Sequence, residues 1–179
     1  MPSFTLELLQ DHLSVYRFPS PTADSAVARK PDPILDFAAG LFRASCERQV
    51  FCSLTRTHDE ISIVCPSKLL DDHLALMRHR PAAPPTAVPV TTAAAASNDQ
   101  AQPELPDPRA ESDWRAFKIQ GPLDFALVGV LSQISAVLAQ AGVSIFAVST
   151  FDTDYILVKQ DRLDDARAAL EAMGCSIQP

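Results

Sequence analysis

The chain has 179 residues, of which 47% are hydrophobic and 21% are charged, and its formal net charge is −7. This length can bury a proper core, as one domain or as two small ones. The acidic balance argues against nucleic acid, whose phosphates attract a basic stripe, and no lysine- or arginine-rich run suggests binding to an anionic membrane surface. We therefore expect neither nucleic acid nor a membrane among its partners.

The cysteines and histidines give no sign of a disulfide frame or a metal site. Four cysteines occur without a C-x-x-C pair: Cys46, Cys52, Cys65 and Cys175. We interpret them as reduced core residues of a cytoplasmic protein. Met1–Leu13 lacks the basic start and apolar core of a secretory signal. His73 and His79 lack the i, i+4 spacing of a helical zinc pair, so we expect no metal and no cofactor.

The N-terminal part alternates short apolar and amphipathic segments. In chain order, the patterns predict two strands that can be one strand broken at Gln10–His12, an irregular Pro/Ser/Ala-rich excursion, a helix, a hairpin and a second helix: Phe4–Leu9, Leu13–Phe18, 19–33, Ile34–Ser45, Val50–Arg56 with Glu60–Cys65, and Ser67–His79. We assign residues 1–79 to an N-terminal module. Its order lacks a last strand unless another segment supplies one.

Residues 80–111 differ from both flanking parts in composition. They are rich in Pro, Ala, Thr and Asp, include the run Ala93–Ala96, and show no apolar periodicity. Such a segment cannot bury enough surface to offset the entropy of ordering it. We predict a disordered insertion.

Residues 112–179 form the clearer module. The predicted elements are a strand, a helix with Asp124 as its N-terminal cap, two strands around the turn at Asp152–Thr153, a helix and an edge strand: Trp114–Gln120, 124–141, Val143–Phe151, Tyr155–Lys159, Leu163–Met173 and Cys175–Ile177. The stretch Phe125–Phe151 is uncharged and exceeds the roughly 20 residues that cross a bilayer. Its serines and glutamines, and the break at Gly142, favour a soluble helix followed by a buried strand. The order βαββαβ is the ferredoxin-like arrangement, and the fold class is α+β.

An internal repeat relates the two modules at an offset of 95 residues. The matching pairs are Phe51 with Phe146, Thr55 with Thr150, Asp59 with Asp154, Ile61 with Ile156, and Ile63 with Val158. A twofold repeat predicts a pseudo-symmetric pair of modules, which either holds a ligand between its halves or holds none.

Signatures of catalysis are missing from the sequence. It contains no G-x-S-x-G, P-loop, G-x-G-x-x-G or H-E-x-x-H motif. Ser53, Thr55 and His58 are close in sequence, but strand neighbours alternate faces and His58 falls in a turn. We assign no catalytic residue and do not expect an enzyme.

Three strings carry a resemblance to a known family: Trp114–Phe125, Ala141–Val158 and the hairpin Phe51–Pro66. They resemble small tandem ACT-domain proteins, a group of bacterial and fungal stand-alone proteins that is similar to the CASTOR-type cytosolic arginine sensors. The most specific part is Ser149–Tyr155. The resemblance implies two tandem ACT-like modules packed as a pseudo-symmetric pair, and a regulatory protein that binds an amino acid without catalysis.

The resemblance also implies a ligand site at the cleft between the modules. Thr150, Phe151 and Asp154 fall where the sensors shape their pocket, beside the loop Gly121–Asp124. Helix N-terminal amides can receive a carboxylate, and an aspartate can receive an ammonium or guanidinium group. Leu127 stands where the sensors carry an acid, which argues against arginine as the ligand.

The residues themselves leave other interpretations open. Asp154 can satisfy turn amides, Thr150 can be a plain strand residue, and Phe151 can belong to the core. At the level of function, the alternative is a ligand-free module for protein–protein interaction or oligomerisation. A small enzyme is a third, weaker option.

Overall fold

A computed structural model describes residues 4–19, 33–78, 105, 107–123 and 127–179. Within these ranges lie eight strands, four α-helices and a short 3-10 helix at Gln160–Arg162: β1 Thr5–Leu8, β2 Leu13–Pro19, α1 Pro33–Arg48, β3 Ser53–Arg56, β4 Glu60–Pro66, α2 Ser67–Arg78, β5 Arg109–Ile119, α3 Val130–Gln140, β6 Ile145–Ser149, β7 Asp154–Lys159, α4 Leu163–Ala172 and β8 Ser176–Gln178. The predicted α+β class is confirmed.

All eight strands belong to one sheet whose central strand is β5. Along one edge of β5, β2 pairs with its first half and β1 with its last residues, both antiparallel. Along the other edge, β7 pairs with residues 114–118. The first half of β5 therefore completes the N-terminal order β3-β4-β2-β5, and its second half completes the C-terminal order β6-β7-β5-β1-β8.

This sharing of β5 changes the predicted module boundaries. The prediction placed Phe4–Leu9 in the N-terminal module, whereas β1 lies between β5 and β8 in the C-terminal half. It also placed Arg109–Glu111 in the insertion, whereas these residues are paired in β5 and supply the strand that the N-terminal module lacked. The rest of the predicted insertion, apart from 105, 107 and 108, lies outside the described residues, as does most of the excursion 19–33.

Helices cover one face of the sheet in each half. In the N-terminal half, α1 and α2 bury Phe37, Leu41 and Leu69 against Phe18 and Ile63. In the C-terminal half, α3 and α4 bury a second set against the sheet: Ile134, Leu138 and Leu170 with Phe117 and Ile156. The opposite face carries a third cluster, which we call the inter-half cluster: Leu13, Val64, Trp114, Ala116 and Leu157, with Leu9, Val15, Phe51, Phe146, Val148 and Tyr155 partly buried around them.

The start of α3 differs from the prediction. Asp124 lies outside the described residues, but α3 begins only at Val130, after Gly129 in the left-handed conformation (φ 84°) and without a side-chain cap. Leu127 and Val128 precede the helix and are 55% and 91% exposed. The apolar run misled the prediction, because it continues through residues that are not helical. The helix ends as expected, with Gly142 at φ 68°.

The uncharged stretch that required a membrane check divides into the 11-residue α3 and the short strand β6. No helix in the described ranges has the length and apolar character needed to cross a bilayer.

The two hairpins correspond at an offset that differs from the sequence repeat. The last pair of β3–β4 is Arg56–Ile61, and the last pair of β6–β7 is Ser149–Asp154, so the offset is 149 − 56 = 93. Thr57, rather than Thr55, is therefore the counterpart of Thr150. Both threonines close their turn, since the Thr57 N–H donates to the Glu60 carbonyl at 2.8 Å and the Thr150 N–H to the Thr153 carbonyl at 2.8 Å.

Candidate functional site

The loop after β5 is bound to the turn between β6 and β7. The Leu123 N–H donates to the Asp152 carbonyl at 2.8 Å, and the Thr153 hydroxyl donates to the Ile119 carbonyl. Gly121 lies so close that a Cβ there would sit 2.7 Å from the Asp152 carbonyl oxygen. Two hydrogen bonds therefore join the two segments, and only glycine fits at position 121 without a shift of the turn.

Thr150 closes the turn at residues 150–153. Its hydroxyl donates to the Thr153 carbonyl at 2.8 Å and accepts the Thr153 N–H at 3.3 Å. Among the described residues, the Asp154 carboxylate has no hydrogen-bond donor and no ion-pair partner. The interpretation that Asp154 accepts hydrogen bonds from the amides of the turn is therefore wrong, because the Thr150 hydroxyl accepts the Thr153 N–H instead.

A cleft of about 430 Å³ opens between the loop and the turn. Seven residues line it, all from the C-terminal half: Lys118, Gly121, Pro122, Thr150, Asp152, Thr153 and Tyr155. We call it the loop–turn cleft. Its size is within the range of small-molecule pockets, which is roughly 300–1,000 Å³.

Opposite charges line the loop–turn cleft. The Lys118 Nζ lies 3.6 Å from a Glu7 carboxylate oxygen, which is too long for a strong hydrogen bond, and both side chains are partly exposed. Asp152 is exposed in the turn, and Tyr155 is half-buried. An ammonium, a carboxylate and an aromatic ring in one cleft complement a small molecule that carries both charges.

The structure places the sequence-predicted site residues in different positions. Gly121 and Thr150 line the cleft together. Phe151 lies at the tip of the turn and is 79% exposed, so the interpretation as a core residue is wrong. Asp124 lies outside the described residues.

Asp154 is on the opposite face of the sheet from the cleft. Side chains alternate along β7, and Ile156 and Val158 pack into the helix-covered core, whereas Tyr155 and Leu157 belong to the inter-half cluster. Asp154 shares the parity of Ile156. It therefore lies on the helix-covered face and does not line the cleft with Thr150.

Sequence reasoning missed Lys118, Asp152 and Tyr155 as site residues. The available signal was the alternation Trp114, Ala116, Lys118, which places Lys118 on the face opposite Phe117 and Ile119. That alternation shows which residues share a face, but not which face forms a cleft.

A second, smaller space separates the two hairpins. It measures about 190 Å³ and is lined equally by both halves: Ser53, Thr55, Ser62 and Val64 on one side, and Phe146, Ala147, Val148 and Ser149 on the other. The cleft predicted between the modules therefore corresponds to two spaces. The one between the halves holds none of the predicted site residues, and the one that holds Gly121 and Thr150 belongs to the C-terminal half.

Two aromatic pairs lie in the inter-half cluster. The rings of Phe51 and Tyr155 are 4.6 Å apart between centroids and tilted by 48°. Those of Trp114 and Phe146 are 6.2 Å apart, and the Lys159 ammonium lies 4.4 Å from the centre of the Trp114 ring. Tyr155 belongs to both the loop–turn cleft and the contact between the halves.

The thiols lie away from the cleft. Burial raises the pKa of Cys65, Cys52 and Cys175, which keeps these thiols protonated and poorly nucleophilic. Cys46 is exposed, so its assignment to the core is wrong. The described residues contain no group of three or more His, Cys, Asp or Glu side chains that could hold a metal ion.

Comparison with known proteins agrees with this architecture. The family model of the ACT domain matches residues 109–172. Protein Atu0741 from Agobacterium tumefaciens has a similar structure, with a TM-score of 0.59 and 26% sequence identity over 99% of this chain and 94% of that one. No curated protein matches the sequence.

Two solved structures of aspartate kinases share the fold. The ligand-free regulatory subunit from Thermus thermophilus matches with a TM-score of 0.56 and 12% identity, over 96% of this chain and 98% of that one. The enzyme from Synechocystis matches with a TM-score of 0.57 and 21% identity, over 98% of this chain and 27% of that one. The ACT-domain match at residues 109–172 thus lies within a two-part ferredoxin-like fold that spans the described residues.

Proposed function

We propose that this protein is a non-catalytic regulator that binds an amino acid, or a related metabolite with both charges, in the loop–turn cleft. The observation that carries the proposal is the placement of Lys118 and Asp152 in one cleft of about 430 Å³ inside the ACT-domain match. The fold of an aspartate kinase regulatory subunit supports a regulatory role. The relation to the arginine-sensor group rests on the sequence strings alone.

In this proposal the ligand carboxylate pairs with the Lys118 ammonium, and the ligand ammonium pairs with Asp152. Tyr155 forms the wall against which the ligand side chain packs. Hydrogen bonds to charged groups contribute about 1.5–3 kcal/mol each, which is enough for a small ligand to discriminate between conformations. The ligand regulates by population shift, because it favours the conformation of the loop–turn cleft in which these groups converge.

The chemistry of the cleft favours binding over catalysis. Its two threonine hydroxyls are occupied, one by the turn and one by the Ile119 carbonyl. Histidine and cysteine, the usual base and nucleophile, are not among the described residues that line it. With no disulfide among its four thiols, we place the protein in the cytoplasm.

The test begins with a thermal-shift screen of the proteinogenic amino acids, with each hit confirmed by calorimetry. Lys118→Met removes the ammonium but keeps most of the side-chain volume, and we expect it to weaken binding by roughly 10- to 100-fold. Asp154→Ala is the matched control, because Asp154 lies on the other face; its affinity should stay within about twofold of the wild type.

The opposite result, with Lys118→Met binding normally and Asp154→Ala binding nothing, places the ligand on the helix-covered face. The loop–turn cleft is then not the site.

A second candidate function is a ligand-free interaction module, and one observation favours it. Three of the most exposed large apolar residues are Leu127 and Val128, which precede α3, and Phe151, which lies in the turn between β6 and β7. Exposed apolar residues of this kind are typical of a protein-binding surface. No stabilisation by any amino acid, together with self-association that Val128→Ser abolishes in sedimentation velocity, supports this candidate.

A further inference from the structure

The contact between Phe51 and Tyr155 joins the candidate ligand site to the other half of the molecule. Tyr155 lines the loop–turn cleft, and its ring lies 4.6 Å from that of Phe51, which belongs to the N-terminal half. The residues that line the cleft all come from the C-terminal half, so Phe51 stands directly behind one of its walls.

Hydrogen bonds hold the backbone beside both rings of this contact. Tyr155 is paired with Lys118 on one side and with Val148 on the other, in the middle of three strands. Phe51 follows the end of α1, where Gln49 is left-handed (φ 53°) and the Val50 N–H donates to the Ser45 carbonyl at 3.1 Å. The two rings are in contact, so each ring limits the rotamers open to the other.

We propose that Phe51 is a positioning residue for the loop–turn cleft: it holds the Tyr155 ring in the orientation that binds the ligand, so that affinity depends on how the two halves pack. This inference rests on the proposed function. By linkage, a ligand that fixes Tyr155 also fixes Phe51 and the segment between α1 and β3.

Cys52 offers a natural reporter of that segment. It is half-buried directly after Phe51, whereas Cys65 and Cys175 are buried. Once the exposed Cys46 is replaced by Ser, Cys52 is the most accessible thiol of the described chain. Burial raises the pKa of this thiol and slows its reaction with a maleimide, so an increase in the rate of modification reports exposure of the α1–β3 segment.

The experiment compares the full-length wild type with Phe51→Ala, Phe51→Tyr and Phe146→Ala, all in the Cys46→Ser background. Phe146→Ala is the matched control, because it removes an aromatic ring from the same cluster that contacts Trp114 and does not line the loop–turn cleft. The probe is the amino acid selected by the thermal-shift screen, or glycine at high concentration if the screen selects none.

We expect Phe51→Ala to weaken binding about three- to tenfold, the effect of losing one aromatic pair, and Phe51→Tyr to restore it. Ligand should slow the maleimide reaction of Cys52 in the wild type and in Phe146→Ala, but not in Phe51→Ala. Equal affinities for Phe51→Ala and the wild type overturn the inference, as does an equal loss in Phe146→Ala.

A readout without ligand separates this inference from the proposed function. The chain has two tyrosines, Tyr16 and Tyr155, so 3-fluorotyrosine labelling gives two fluorine resonances that Tyr155→Phe assigns. If the wild type binds no amino acid, the proposed function fails. The positioning role is then supported by a Tyr155 resonance that broadens or splits in Phe51→Ala, as expected for a ring that takes several rotamers, and overturned by a single sharp resonance.

Discussion

Each half of this protein contains one of two similar hairpins, β3–β4 and β6–β7, and the turns of these hairpins make different contacts. In the N-terminal half, the Thr57 hydroxyl accepts the N–H groups of Asp59 and Glu60 at 3.2 and 3.1 Å, and this turn is exposed to solvent. In the C-terminal half, the equivalent turn is closed by Thr150 and also receives the loop after β5. A hairpin tip that closes on itself is only a turn, whereas a tip that binds a second segment becomes one wall of a cleft.

The difference depends on a few residues at the contact. Gly121 allows the close approach to the turn, and Thr153 reaches the Ile119 carbonyl from a buried position. The N-terminal counterpart of Thr153, at the offset of 93, is Glu60, which instead pairs with Arg17 near the surface. The C-terminal half therefore differs through the Thr153 side chain, whose hydroxyl reaches the Ile119 carbonyl, and not through the hairpin itself.

The largest losses of stability should come from substitutions in the two helix-covered cores. These substitutions also test whether the two halves unfold independently. Phe37→Ala in the N-terminal half and Phe117→Ala in the C-terminal half each remove a fully buried ring, and each should lower the free energy of unfolding by about 3–5 kcal/mol. Because β5 belongs to both halves, we expect one cooperative transition in urea for each variant, by Trp114 fluorescence and by circular dichroism alike. Leu76→Ala, at a 68% exposed position, is the control with little effect. Two separate transitions would show that the halves are independent.

A smaller effect tests the contact between loop and turn. Thr153→Val keeps the shape of the side chain and leaves the Ile119 carbonyl without its donor, so we expect a loss of about 1–3 kcal/mol. Glu60→Gln at the equivalent N-terminal position removes a surface ion pair and should cost at most about 1 kcal/mol. Denaturation in urea measures both. If the two substitutions cost the same, the contact does not distinguish the halves.

The smallest expected effect is a loss of stability at acidic pH. It arises in the N-terminal half, because all four histidines of the sequence lie there. His73 packs against Phe37, with ring centroids 5.0 Å apart, and burial lowers the pKa of its imidazole below the ordinary 6.5. The unfolded chain therefore takes up a proton before the folded one, so the stabilisation is complete above about pH 6.5 and falls as the pH drops below it. His73→Phe should reduce the difference in unfolding free energy between pH 7.5 and 5.5. An unchanged pH dependence in His73→Phe contradicts the assignment.

Much of the fold could be predicted from the sequence, because each element has a clear period. The strand predicted at Tyr155–Lys159 is β7, Asp154–Lys159, and the helix predicted at Leu163–Met173 is α4, Leu163–Ala172. Pairing between distant segments leaves no such local signal. Nothing in Thr5–Leu8 shows that it pairs with β8 rather than with the strands that follow it.

The candidate site was predictable only in part for the same reason. Gly121 and Thr150 were found through the family resemblance, because both belong to the strings that carry it. Lys118 and Tyr155 could not be found, because their role depends on which face of the sheet the loop after β5 leaves open. Asp154 was assigned to the pocket through its similarity in sequence, but the alternation along β7 places it on the other face.

The position of β1 between β5 and β8 has a consequence for any fragment of this protein. Residues 109–172 carry the ACT-domain match, yet expressed alone they would lack β1, β2 and β8, and one edge of β5 would be unpaired. Open strand edges pair with other chains, and such a fragment should aggregate or stay unfolded. Residues 1–78, supplied as a separate chain, contain β1 and β2 and close this edge of β5, so the two pieces should become soluble when they are produced together.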